Sequence, residues 1–401
     1  MTKTTPENPT PLPSEQPKPQ ARVHLNHLDG LRALAALYVV AFHCIIQQRH
    51  LPTGLAYDLF EWMMYGHFAV DVFIVLSGFS LMLPIVRGDG RLRGGARTFF
   101  LKRARRILPP YYFALALTLL LSTSALSHFT GTEWDQALPV TLPAVVTHLL
   151  LIHNLFASYM YKINGAFWSI AVEWQIYFLF PTLLLLWGRI GAVKTTLLAL
   201  AAGYAGVLLL HHTSADGLTS QYLGLFALGM FAASVSFSPD PLSERLRLRV
   251  PWQPALVALL LSVILFCRHY GGHTVMSAHS STADLFVGLS AACFLIVLAS
   301  PAPSTTRRLL SWRPLAFVGT FAYSIYLLHE PVVALLWIYL IQPMQVSSLT
   351  GFVTLLFLSI PVSVAFAYLF FLACEKPFLN TRPKPPVYKE PLAVEPPIIP
   401  A

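Results

Sequence analysis

The sequence predicts an all-α, polytopic membrane protein with about ten spanning helices and one short interfacial or re-entrant helix. Three observations carry this reading. Of 401 residues, 55% are hydrophobic and only 11% charged, where a soluble domain carries about 25% charged residues. The mean hydropathy is +0.61. The Lys and Arg residues gather in short loops between apolar runs, as membrane topology demands, so the net charge of +9 reports loop sidedness and not a nucleic-acid surface.

A span needs about 20 mostly apolar residues. Spans are expected at 31–48, 66–86, 107–126, 168–187, 194–212, 220–237, 252–268, 284–300, 314–340 and 349–374. A further apolar run, 144–158, is short for a span, and charge decides its placement. The stretch 87–106 sets Arg87, Arg91, Arg93, Arg97, Lys102, Arg103, Arg105 and Arg106 against Asp89, which makes it cytoplasmic. If 144–158 does not span, the later basic turns (Arg189 and Lys194; Arg245, Arg247 and Arg249; Arg307, Arg308 and Arg313) all fall inside as well. Both termini are then expected in the cytoplasm, with 144–158 lying within an external excursion.

Residues 1–24 and 381–401 are Pro-rich and polar, and are expected to be disordered cytoplasmic tails around a membrane domain at 25–380. The first tail lacks the apolar core of a signal peptide. Cys44, Cys267, Cys293 and Cys374 have no short spacing, so neither a disulfide framework nor a zinc site is expected. Pro84, Pro181, Pro331 and Pro361 sit at depth in apolar runs, where proline kinks helices and frees backbone groups.

Polar residues at membrane depth need partners or a cavity. In LDGLRALAALYVVAFHC, Arg32 and His43 stand 11 positions apart, roughly 16 Å along a helix. Arg32 would lie at the cytoplasmic mouth and His43 near the midplane. Asp29, just before, reads as a helix cap. Asp71 enters from outside in GHFAVDVFIVLSGFSLMLPIV, as a bridge between helices or as a catalytic carboxylate beside a His. Ser77 and Gly78 allow close helix packing. Arg103 and Arg106 share a helix face, either as lipid-phosphate anchors or as a clamp for the phosphates of a cytosolic cofactor. Glu173 enters from outside in NGAFWSIAVEWQIYFLFP, at a depth similar to Asp71. His329, in YSIYLLHEPV, joins this middle-to-outer group, with Pro331 expected to break its helix. Val333 excludes an HExxH pattern, so no metal is expected.

LDGLRALAALYVVAFH, FAVDVFIVLSGFSL, FLKRARRILPPYY, WSIAVEWQIYFLFP and YSIYLLHEPV, in this order, resemble the acyltransferase-3 family of integral-membrane O-acyltransferases over about residues 25–380. Its basic-residue, ten-residue, His pattern falls on Arg32 and His43, its Arg-x-x-Arg motif on Arg103 and Arg106, and its carboxylate after Trp-Ser on Glu173. The second His that relatives often carry shortly after the first is absent from HCIIQQ. No hydrolase-like domain of the kind some relatives add is expected here.

The resemblance implies a bacterial cytoplasmic (inner) membrane enzyme. Its donor would be an acyl-CoA, acetyl-CoA by default, whose phosphates meet Arg103, Arg106 and Arg32 from the cytosol. Its acceptor would be a hydroxyl of a carbohydrate, glycolipid or small molecule on the outer side. His43 would act as general base, since an imidazole titrates near pH 6.5, or would carry the acyl group covalently. Asp71 or Glu173 would orient it. The rival reading is a proton-coupled transporter or flippase of an anionic solute, with His43, Asp71 and Glu173 as a relay; it would be favoured by an inverted repeat, and none is found.

Overall fold

A computed structural model of the chain describes residues 25–47, 59–210, 213, 216–271 and 278–379. The two expected tails lie outside the described residues. Among the described residues, fourteen α-helices follow one another: α1 (Asn26–Ile46), α2 (Phe68–Val86), α3 (Gly95–Thr123), α4 (Leu142–Leu149), α5 (Phe167–Ile190), α6 (Ala192–Leu210), α7 (Tyr222–Phe237), α8 (Pro241–Arg249), α9 (Trp252–Tyr270), α10 (Ser280–Ala299), α11 (Thr305–Leu310), α12 (Arg313–Gly319), α13 (Ala322–Leu336) and α14 (Ser348–Phe370). There is no strand among the described residues. Eight of the described helices are long and apolar enough to cross a membrane, or nine if the bent α7–α8 pair counts as one span. The chain is an all-α integral membrane protein.

Two of the ten expected spans differ from that count for physical reasons. The run 220–237 becomes the 16-residue α7, roughly 24 Å long and short of the hydrocarbon thickness of about 30 Å. It bends by 86° into α8, which Asp240 caps by accepting from the Ser243 N–H at 3.0 Å. The run 107–126 is the C-terminal part of α3. This 29-residue helix begins after Gly94, whose φ of +79° suits glycine alone among common residues. The basic stretch expected as a loop is therefore helical from Gly95 onward. As expected, 144–158 does not span, because its α-helix α4 has only 8 residues.

The expected span 314–340 is broken near its start. α12 ends at Gly319, where a Cβ would lie 1.9 Å from the Asp29 carbonyl oxygen, and Gly30 of α1 closes in the same way on the Leu310 carbonyl at 1.8 Å. Pro331, in contrast, lies inside α13 without ending it. Proline removes the N–H that residue 327 would receive, and the Asn164 side-chain amide replaces it by donating to the Leu327 carbonyl at 3.2 Å. Glu330 then accepts from the Ala166 N–H at 2.9 Å, a carboxylate on the N-terminus of α5.

α2 and α7 pack at backbone distance. A Cβ on Gly78 would sit 2.0 Å from the Phe226 carbonyl oxygen, and one on Gly229 would sit 2.0 Å from that of Val75. The small Ser77–Gly78 pair permits this approach, as expected. α9 has no buried residue; its exposed Leu260, Leu261, Ile264 and Leu265 form an apolar surface of the kind lipid covers.

Candidate functional site

α1, α2, α3, α5 and α13 enclose a cavity of about 150 Å³, lined by Arg32, Arg103, Arg106, Glu173, Tyr177, Tyr326 and Glu375 among others. Its mouth lies at the break between α12 and α13, where the exposed Thr320 and Arg106 line it. The three arginines expected as a clamp thus meet in one place.

Each is held by local structure. Arg32, nearly two turns into α1, donates from Nη1 to Asp29 Oδ1 and from Nη2 to Ser80 Oγ, both at 2.7 Å. Asp29 is therefore an ion-pair partner and not a cap, because α1 starts one turn earlier, after Leu25. Arg103 and Arg106, three residues apart on α3, point from one helix face into the cavity. Arg103 Nε is buried without a protein partner, the state of a donor left for a ligand.

Glu173 lies opposite, on α5. It accepts from the Tyr177 hydroxyl at 2.5 Å. Because that hydroxyl has one hydrogen, Ser77 Oγ, 2.9 Å away, donates to Tyr177 in turn. Further along α13, Tyr326 and Ser169 are joined through their hydroxyls at 2.6 Å. The Phe73 ring packs edge-on against Tyr326, with centroids 5.8 Å apart. Both aromatics line the cavity, and the Tyr326 ring also lies against His329, with centroids 5.6 Å apart.

His43 and His329 do not line the cavity. They meet beyond the aromatic pair, with ring centroids 4.7 Å apart. His329 is fully buried and its Nδ1 donates to the Tyr326 carbonyl at 2.7 Å. That bond fixes the tautomer and leaves Nε2 as an acceptor, which has no protein partner. His43 is half-buried.

Residues 25–370 match the family described as an acyltransferase domain, acyltransferase-3. The chain belongs to the acyltransferase-3 family. It is similar to the Bacillus subtilis protein YrhL, named as a peptidoglycan O-acetyltransferase (27% identity over 79% of this chain and 50% of that one). It is also similar to the peptidoglycan O-acetyltransferase OatA of Listeria monocytogenes (25% identity over 79% and 50%). The O-acetyltransferase OatA of Staphylococcus aureus shares 22% identity over 80% of this chain and 52% of its own. The chain thus spans about half the length of these curated relatives. No solved structure matches it.

The acyltransferase-3 positions divide in space. Arg32, Arg103, Arg106 and Glu173 share the cavity, and His43 pairs with His329 beyond it. Asp71 joins neither group; it is buried beside Asp284 and His67, so the expectation that it orients His43 is corrected. The reason is rotational, since the α2 residues on the cavity include Ser77, Ser80 and Leu81, a face that excludes Asp71.

Glu375 on the cavity wall was not anticipated. It follows the apolar run of α14 in sequence, where it reads as a loop residue. A π-helical turn, 371–375, extends the helix and turns Glu375 inward to accept from Ser324 Oγ at 2.5 Å.

Proposed function

We propose that this protein is a membrane O-acyltransferase that moves an acyl group, acetyl by default, from acyl-CoA to a hydroxyl of a glycan acceptor. The observation that carries the reading is the shared cavity of Arg32, Arg103 and Arg106, leading toward the His43–His329 pair. Guanidinium forks match phosphate oxygens in geometry and charge. The donor's phosphates bind at the arginine mouth, and its thioester reaches inward past Tyr326 to His43.

In the transfer step His43 takes the proton of the acceptor hydroxyl. The oxygen attacks the thioester carbonyl, the C–S bond breaks, and CoA leaves carrying the proton that His43 returns to sulfur. His329, whose ring packs against that of His43, is a positioning residue for the imidazole. Glu173 and Glu375 face the arginines and, with Asp29 on Arg32, offset the three cations of the cavity. The curated relatives are named for peptidoglycan, so a cell-wall glycan is the acceptor class we propose. The positive-inside pattern of Arg87 to Arg106 supports a donor mouth and both termini on the cytoplasmic side of a bacterial cytoplasmic membrane.

The test is transfer of radiolabelled acetyl from acetyl-CoA to peptidoglycan fragments by the protein in nanodiscs. Label in the glycan, released by mild base as an O-ester is, supports the reading. Absence of acetyl transfer to any glycan hydroxyl, alongside uptake of an anionic solute, would replace it with a transporter.

A further inference from the structure

We propose that His67, Asp71 and Asp284 form a binding site for a divalent metal ion of the Zn²⁺ or Mn²⁺ kind, where the N-terminal ends of α2, α7 and α10 meet. Their ligand atoms all lie within 4.8 Å of one another. His67 and Asp71 are four apart in sequence and so share one face of the start of α2, while Asp284 comes from α10. None of the three lines the cavity described above.

A second observation points to a ligand. Asp71 has no exposed surface, and neither of its carboxylate oxygens has a hydrogen-bond partner. The Tyr222 hydroxyl is close but outside hydrogen-bonding geometry. A buried carboxylate with no partner costs far more than any packing gain returns, and a second carboxylate beside it adds repulsion. A divalent cation cancels both charges at once. The surroundings support the ligands as outer partners do in metal sites: Gln221 Nε2 donates to Asp284 Oδ2 at 3.0 Å, and so fixes the orientation of that carboxylate. The side chain of His67 is 13% exposed and offers a path from the surface.

The donor set selects the ion. One imidazole nitrogen with two carboxylate oxygens suits borderline divalent ions. Bond lengths of about 2.0–2.2 Å set such ligands roughly 3–3.5 Å apart. His67 Nε2 and Asp284 Oδ1 stand 2.5 Å apart, so loading separates them by somewhat under 1 Å, within the reach of a χ rotation. Three protein ligands leave a further coordination position for water. By joining α2 to α10, with Gln221 holding the connection to α7, the ion would lock the three helices that flank the cavity wall.

The test uses tag-free full-length protein in detergent, stripped with EDTA and then equilibrated with ZnCl₂ or MnCl₂. Bound metal is counted by mass spectrometry and the melting temperature is measured in parallel. The proposal expects about one ion per chain, a higher melting temperature on loading, and loss of both effects in Asp71→Asn and Asp284→Asn. If the Asn variants fold poorly, His67→Gln serves in their place, with affinity reduced by more than the roughly 10–100-fold that loss of an outer-shell partner costs. Two results overturn it: wild type that binds neither ion, which makes the carboxylates a proton-sharing pair, or metal binding that survives all three substitutions.

Discussion

His43 and His329 meet edge to face across α1 and α13, with ring centroids 4.7 Å apart. His329 spends its Nδ1 hydrogen on the Tyr326 carbonyl, so its other ring nitrogen can accept a hydrogen bond but not donate one. The two imidazoles therefore have different work. His43→Ala is expected to lower acetyl transfer about 10²–10⁴-fold with little change in donor affinity. His329→Gln keeps an amide in the space and is expected to lower kcat less, and to shift the pH profile of kcat. Steady-state kinetics on both variants across pH 5–9 checks this; equal losses with unshifted profiles would make His329 a packing residue only.

Arg103 presents a buried Nε without a protein partner, a cost that folding alone does not explain. Arg103→Met is therefore expected to hold or raise the melting temperature while weakening acetyl-CoA binding about 10-fold or more, since a hydrogen bond to a charged group contributes about 1.5–3 kcal/mol. The Arg103→Met, Arg106→Ala double variant should weaken binding further. Calorimetric titration and a thermal scan on the same samples read both effects.

Asn164 replaces the hydrogen bond that Pro331 removes from Leu327. Asn164→Ala is expected to destabilise the fold by about 1–3 kcal/mol by leaving a buried carbonyl unsatisfied. Adding Pro331→Ala to that variant returns an N–H to residue 327, so the double variant should recover part of the loss. Unfolding midpoints for the two single variants and the double variant form a cycle. Additive effects would mean the two residues are not linked.

The segment between α3 and α5 carries a stacked pair, His148 and His153, with centroids 3.8 Å apart. Burial pushes His148 down to about 4, and burial with neighbouring His148 pushes His153 down to about 2. Their ordinary value is near 6.5. Below pH 6.5 the unfolded chain binds protons that the folded chain refuses, so the folded state is stabilised by the neutral rings above pH 6.5 and loses that stability as pH falls toward 4. Melting temperature should drop between pH 7 and pH 5, and the drop should flatten in His148→Gln with His153→Gln.

Much of this was legible in the sequence because membrane solvent writes its demands as long apolar runs and charge asymmetry. Arg32, Arg103 and Arg106 were legible as a set because charged residues at depth must share a cavity, and they do, whereas Glu173, expected beside His43, joins the arginines instead. Three features were not. Asp71 was placed by depth alone, and depth does not fix rotation about the helix axis; the face of α2 decides that it meets Asp284 and not His43. Glu375 depends on a π-turn at the end of α14, which has no periodic signature. Pro331 read as a break because the sequence does not reveal that Asn164, far away in the chain, supplies the missing hydrogen bond.

The central claim is that the arginine cavity receives an acyl-CoA and passes its acyl group toward His43. Titration of acetyl-CoA into the purified protein in nanodiscs, with desulfo or dephospho analogues alongside, tests it most directly. The account predicts that wild type and His43→Ala bind acetyl-CoA alike, that the Arg103→Ala, Arg106→Ala variant does not, and that removing the donor's 3′-phosphate weakens wild-type binding. Wild type with no affinity for acetyl-CoA, or affinity indifferent to both arginines, would contradict it.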